Sequence, residues 1–156
     1  MGLFDFVKDV GEKLGIGKND EKEAVAEYVE EQQKANALWQ MVRGLGLEVE
    51  DMQLQFDDGV ATVTGNVPNQ AEKEKVILAL GNTQGVSQVD DQMVVVEPAP
   101  EATFYTVQPG DSLSKIALAQ YGDAMKYPAI FEANTPMLKN PDLIYPGQVL
   151  RIPTDV

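Results

Sequence analysis

The chain has 156 residues, 44% of them hydrophobic and 24% charged, with a net charge of −13. That balance describes a folded protein with material for a core, and its sign excludes a nucleic-acid binder, which needs lysine and arginine to neutralise phosphates. Cysteine and histidine are both absent, which removes disulfides, the usual zinc ligands and the commonest catalytic proton carrier.

At the N-terminus, Leu3, Val7, Val10 and Leu14 fall at helical spacing with Phe4 and Phe6 beside the stripe, so residues 1–18 are predicted as a short amphipathic helix. Its polar side mixes Asp5, Asp9 and Glu12 with Lys8 and Lys13, unlike the basic face of a membrane-surface helix. Asp5 also interrupts any secretion-signal pattern, and no apolar run approaches the roughly 20 residues of a membrane span. A cytoplasmic protein with no membrane insertion is the expectation.

A long helix follows from Asp20, which with Glu23 forms a capping-box-like start. Val25, Tyr28, Val29, Trp39 and Val42 are its predicted apolar face, and Gly44 its end. The period then drops to two: Met52, Leu54 and Phe56 alternate with polar residues, and Asp58-Gly59 signals a hairpin turn. A second helix begins after Pro68, capped by Asn69 with Glu72 three residues on. Its buried stripe is Val76, Ile77 and Leu80, and it stops at Gly81. The run "VSQVDDQMVVV" supplies a further strand. Residues 19–96 thus read as a small α+β layer with helices on one face of a sheet.

Residues 97–103, "EPAPEAT", form a short semi-extended linker. They divide the charge unevenly. Residues 1–103 carry 20 acidic and 8 basic side chains, against 5 and 4 in residues 104–156. The acidic field of the first part raises the local concentration of cations. Beyond the linker, residues 104–156 read as strand, two helices (112–121 and 126–134) and strand. Ser112 or Asp111 caps the first helix, Ile116, Ala117, Ile130 and Phe131 fill the core, and Pro146-Gly147 turns the chain into the last strand.

Catalysis is hard to build from these residues. Ser112 and Lys115 match an S-x-x-K pattern, but its companion motifs are missing and Ser112 has a capping role. The pairs Asp57-Asp58 and Asp90-Asp91 are adjacent on extended chain, so their carboxylates point to opposite faces. No EF-hand loop is present. The expectation is a protein that is not an enzyme.

The run from Val63, Gly65 and Val67 through the Asn69 helix to Gly85, Val86, Val89 and Asp90 resembles a BON domain. "FYTVQPGDSLSKIALAQYG" with "IYPGQVLRIP" resembles a LysM domain and implies its βααβ fold. That resemblance also implies glycan binding, to peptidoglycan, at Gly110, Asp111, Ser112 and Leu113 opposite Ile144, Tyr145 and Pro146. The whole order of N-terminal segment, BON and LysM is similar to bacterial cytoplasmic potassium-binding proteins. It implies a monomer that binds K⁺, compacts on doing so, and serves as an ion sensor in potassium or osmotic stress.

Potassium sites use converging neutral carbonyls, and helix C-termini present such groups at the negative end of the helix dipole. The N-terminal helix ends near Gly11 and the second BON helix at Gly81, before the tight loop "GNTQGV". The expected ligands are the carbonyls of Val7 and Val10 facing those of Gly81, Thr83 and Val86.

Overall fold

The computed structural model describes residues 2–6 and 21–154. Strands β2 (Glu50–Asp57) and β3 (Val60–Asn69) form the predicted hairpin. Asp58 and Gly59 both take positive φ, 49° and 83°, the mirror-image turn that matches strand twist. Gly65 has φ 141°, and a Cβ there would lie 2.7 Å from Val49 Cγ1 and 2.9 Å from the Glu50 carbonyl. Only glycine lets the β2 bulge between Glu50 and Gln53 pass this close.

Asn69 caps helix α2 (Gln70–Gly81) by accepting the Glu72 N–H at 2.8 Å. The helix carries the chain over to β4 (Gln88–Glu97), which lies parallel to β3 in a β–α–β crossover. Val76, Ile77 and Leu80 are buried as predicted, and so are Leu78 and Ala79. A helix buried on nearly all sides has a partner on each. One is the sheet and the other is the C-terminal domain. Lys73 reaches from α2 to pair at 2.8 Å with Asp91 of β4, which is 1% exposed.

Two expectations for the N-terminal part are corrected. Residues Gly2–Asp5 form a strand, β1, antiparallel to β4, so that the sheet order is β1-β4-β3-β2. The chain here alternates, with Phe6 buried and Leu3 and Asp5 exposed. The open edge of β4 offers ladder hydrogen bonds that a short helix of marginal stability does not match. The rest of the predicted helix, with Val7, Val10 and Leu14, lies outside the described residues. In α1 (Glu21–Gly44) the buried face is Ala35, Leu38 and Val42. Val25, Tyr28 and Val29 are exposed, and Trp39 is partly so. Trp39 instead donates its indole N–H to the Met52 carbonyl at 3.1 Å and lies beneath the Arg43 guanidinium.

The C-terminal domain pairs β5 (Thr103–Thr106) antiparallel with β6 (Val149–Ile152). Helix α3 (Leu113–Tyr121) is capped by Ser112, whose hydroxyl accepts the Lys115 N–H. It ends at Gly122, with φ 76°. A 3-10 turn (Ala124–Lys126) leads into α4 (Tyr127–Ala133). Ile116, Ala117 and Ile130 are buried here with Leu113, Leu150 and Ile152, and Phe131 packs at the margin. The two layers together make an α+β protein.

Candidate ion site and domain interface

The loop after α2 is held from four sides. Asn82 forms the C-cap, its N–H donating to the Leu78 carbonyl. Its side-chain amide donates to the Val149 carbonyl at 2.8 Å and accepts the Val149 N–H at 2.9 Å. The amide thus pairs with β6 as a strand residue would. From α1, the Lys34 ammonium donates to the Gln84 carbonyl at 2.7 Å. Ser87 donates its N–H to Gly59 of the hairpin, and Phe6 donates its N–H to the Ser87 carbonyl at 2.7 Å. The Phe6 ring lies directly on Gly81, where any Cβ would fall inside it.

Gly81, Thr83 and Val86 therefore sit on one short, pinned loop at the negative end of a helix. The Thr83 hydroxyl is committed to the Ala79 carbonyl at 2.8 Å, so Thr83 offers its main-chain oxygen, which also accepts the Val86 N–H. Val7 and Val10 lie outside the described residues, but the chain leading to them is fixed to this loop through Phe6. Asn82 and Lys34 were not among the sequence candidates. An asparagine just after the apolar run "VILALG" would have been the signal for Asn82.

A second cluster ties the domains together. Glu74, 3% exposed, pairs with Arg151 of β6, Nε to Oε1 at 2.6 Å. Its other oxygen accepts from Gln70 Nε2 at 3.1 Å and from the Ala102 N–H at 2.9 Å. The last part of the linker is thereby pinned, and the Phe4 and Phe104 rings meet beside it with centroids 5.7 Å apart.

The residues implied for glycan binding are largely engaged within their own domain. Asp111 does not cap α3; its carboxylate accepts from the Tyr105 hydroxyl at 2.6 Å and from the Gln108 N–H at 2.8 Å. Gly110 supplies a turn with φ 87°, and its carbonyl accepts from the Lys115 ammonium. Leu113 is buried and Ile144 packs on the core. Tyr145 is 48% exposed and lines a cleft of about 370 Å³ with Met41 of α1, Leu45 just after that helix, and Leu143. Pro146 lies in the turn before β6.

The Tyr105 hydrogen bond, then the Gln108 N–H, holds the Asp111 carboxyl below its ordinary value of 3.8, and the same bond raises the Tyr105 phenol above its ordinary 10.0. A depressed carboxylate stabilises the fold above its unfolded value, and this contribution is lost as pH falls through its folded value. A raised phenol contributes up to its unfolded value and loses this as pH rises through its folded one. Tyr105→Phe is expected to move the Asp111 titration, followed by carboxyl NMR, back up toward 3.8. It should also lower the melting midpoint at neutral pH modestly.

No catalytic arrangement emerges among the described residues. Ser112 and Lys115 meet through a helix cap, and Asp91 is buried against Lys73 while Asp90 accepts from Gln92 on the other face. No described helix is long and apolar enough to cross a membrane.

Residues 30–97 match the BON domain and residues 105–153 the LysM domain. The fold and the site thus define a two-domain BON–LysM protein. Over 156 aligned residues, 99% of this chain and 100% of the relative, the chain is 46% identical to the potassium binding protein Kbp of Escherichia coli O6:H1 strain CFT073. It belongs to that family. An alignment 81 positions long, covering 45% of this chain and 31% of the relative, is 51% identical to an uncharacterized protein of Deinococcus radiodurans.

Proposed function

We propose that this chain is a non-enzymatic, cytoplasmic K⁺-binding protein. Main-chain oxygens of Val7, Val10, Gly81, Thr83 and Val86 would hold the ion. The observation that carries the reading is the convergence on the α2 C-terminus. A buried glycine, a loop pinned on four sides and the incoming N-terminal segment meet there, beside an amide that grips the second domain. The donor set suits potassium: neutral carbonyls compete well for a large, weakly hydrated cation, whereas a carboxylate cage would favour smaller, harder ions. The name and full-length similarity of the Escherichia coli relative support the same ion.

Because the loop is joined to β6 through Asn82, ordering the loop would favour the docked arrangement of the two domains. An ion that binds that state selectively would shift the population toward it, giving a monomeric sensor or buffer for potassium and osmotic adaptation. Melting curves in KCl and in matched NaCl test this. The midpoint is expected to rise with K⁺ alone, by an amount set by concentration over Kd. Equal midpoints through the millimolar range would remove the proposal.

The LysM domain supports a second reading, peptidoglycan binding, for which the half-exposed Tyr145 is the available contact. Co-sedimentation with purified peptidoglycan, abolished by Tyr145→Ala, would favour it.

A further inference from the structure

The outer edge of the BON sheet carries a groove that the ion site does not use. Strand β2 is the last strand, and Asp57 pairs with Val60 across a two-residue turn. Hydrogen-bonded pairs then recur at Gln55–Thr62 and Gln53–Thr64, which leaves the N–H and C=O of Leu54 and Phe56 pointing away from β3. The Trp39 indole bonding to the Met52 carbonyl marks the same outward side. No hydrogen bond from another described element reaches the outward groups of Leu54 or Phe56. Helix α1 stands beside this edge, and between them runs a groove of about 960 Å³. Tyr28, Ala35 and Trp39 form its helical wall, and Leu54 and Phe56 lie on the strand side.

The groove has a charge polarity. Its lining includes Glu31 and Asp57 and no basic residue. At the hairpin end, carboxylate oxygens of Glu27, Glu31 and Asp58 lie within 4.8 Å of one another. Desolvation, followed by the neighbouring aspartates, raises the Glu31 carboxyl above its ordinary value, against the lowering effect of the Asp58 N–H. Additional positive charge would relieve this crowding.

We propose that the groove is a docking site for an extended, basic segment of a partner protein, which adds a strand to β2 beneath α1. The outward amide groups of Leu54 and Phe56 supply the ladder, as in other strand-addition modes. Apolar side chains on one face of the incoming strand cover Tyr28 and Trp39. Lysine or arginine near one end meets Glu31 and Asp57. A second copy of this chain fits poorly, because pairing two β2 edges would bring together two chains of net charge −13.

The probe is a capped seven-residue peptide alternating lysine with valine, added to the full-length protein at about 0.15 M salt, where long-range attraction is screened. Its control has the same charge, with two valines replaced by proline so that it cannot pair as a strand. Amide hydrogen exchange and NMR titration are the readouts. The alternating peptide is expected to slow exchange at Leu54 and Phe56 and to bind about tenfold more tightly than the proline control, the loss expected from one or two ladder bonds. Glu31→Gln combined with Asp57→Asn should weaken it further. Equal binding of both peptides, or protection that appears on concentrating the protein without peptide, would overturn the proposal. So would unchanged exchange at both amides. None of these outcomes depends on potassium.

Discussion

Replacing Arg151 with alanine is expected to cost about 3–5 kcal/mol, the usual penalty for leaving one member of a buried ion pair uncompensated. Glu74 is 3% exposed and its Oε1 takes the Arg151 Nε at 2.6 Å. Gln70 and the Ala102 N–H remain on Oε2, but neither carries charge. The loss falls on the interface, because Glu74 lies on α2 and Arg151 on β6. Urea unfolding followed separately by BON-domain Trp39 fluorescence and by NMR resonances of the C-terminal domain should show one transition in the parent and two in Arg151→Ala. Removing both charges tests the cause. Glu74→Gln with Arg151→Met keeps an acceptor for Ala102 and an apolar stem beside α2, and should recover most of the lost stability. If the double variant is no better than the single one, the damage comes from lost packing rather than from a stranded carboxylate.

This interface also explains what the sequence left hidden. Hairpin, cap and C-terminal domain were legible because each depends on local chemistry: Asp58-Gly59 for the mirror turn, Asn69 with Glu72 for the helix start, Ser112 for α3. The apolar face of α1 was misread at Val25, Tyr28 and Val29 because periodicity gives the direction of a stripe and not how far the packed layer extends along it. The N-terminal strand was misread for a related reason. Leu3 and Val7 suit a helix, whereas Phe4 and Phe6 suit a strand, and the open edge of β4, a tertiary feature, decides between them. The six-residue apolar run "VILALG" did carry a signal. Continuous burial of Val76 through Leu80 requires a second partner for α2, and the linker brings that partner close. The partners Asn82–Val149 and Glu74–Arg151 are separated by 67 and 77 positions. No local pattern could pair them. A site of main-chain oxygens is harder still to read, since it asks of its residues only a backbone path.

The second large effect is expected at Gly81. Any side chain there would overlap the Phe6 ring, which is 6% exposed, so Gly81→Ala must expel the ring from its seat. Loss of a buried phenylalanine contact costs about 3–5 kcal/mol, while alanine returns about 1 kcal/mol of helix propensity. The net loss is then about 2–4 kcal/mol, measured by urea unfolding in NaCl. A double-mutant cycle with Phe6→Ala isolates the contact: once Gly81→Ala has displaced the ring, removing it should cost little more. The ion response distinguishes packing from ligation. With the Phe6 ring displaced, the N-terminal segment keeps its β4 ladder and the hydrogen bond to Ser87 but loses its packing on Gly81, and the extra stabilisation by KCl over NaCl should fall sharply even in the folded variant. Gly85→Ala provides the contrast. Its φ of +92° makes that substitution strained as well, but a Cβ there meets only Lys34, at 3.5 Å, and leaves Phe6 in place. A Gly81→Ala protein that keeps its full potassium-dependent rise in midpoint would exclude the N-terminal segment as a source of ligands and confine any site to the loop itself.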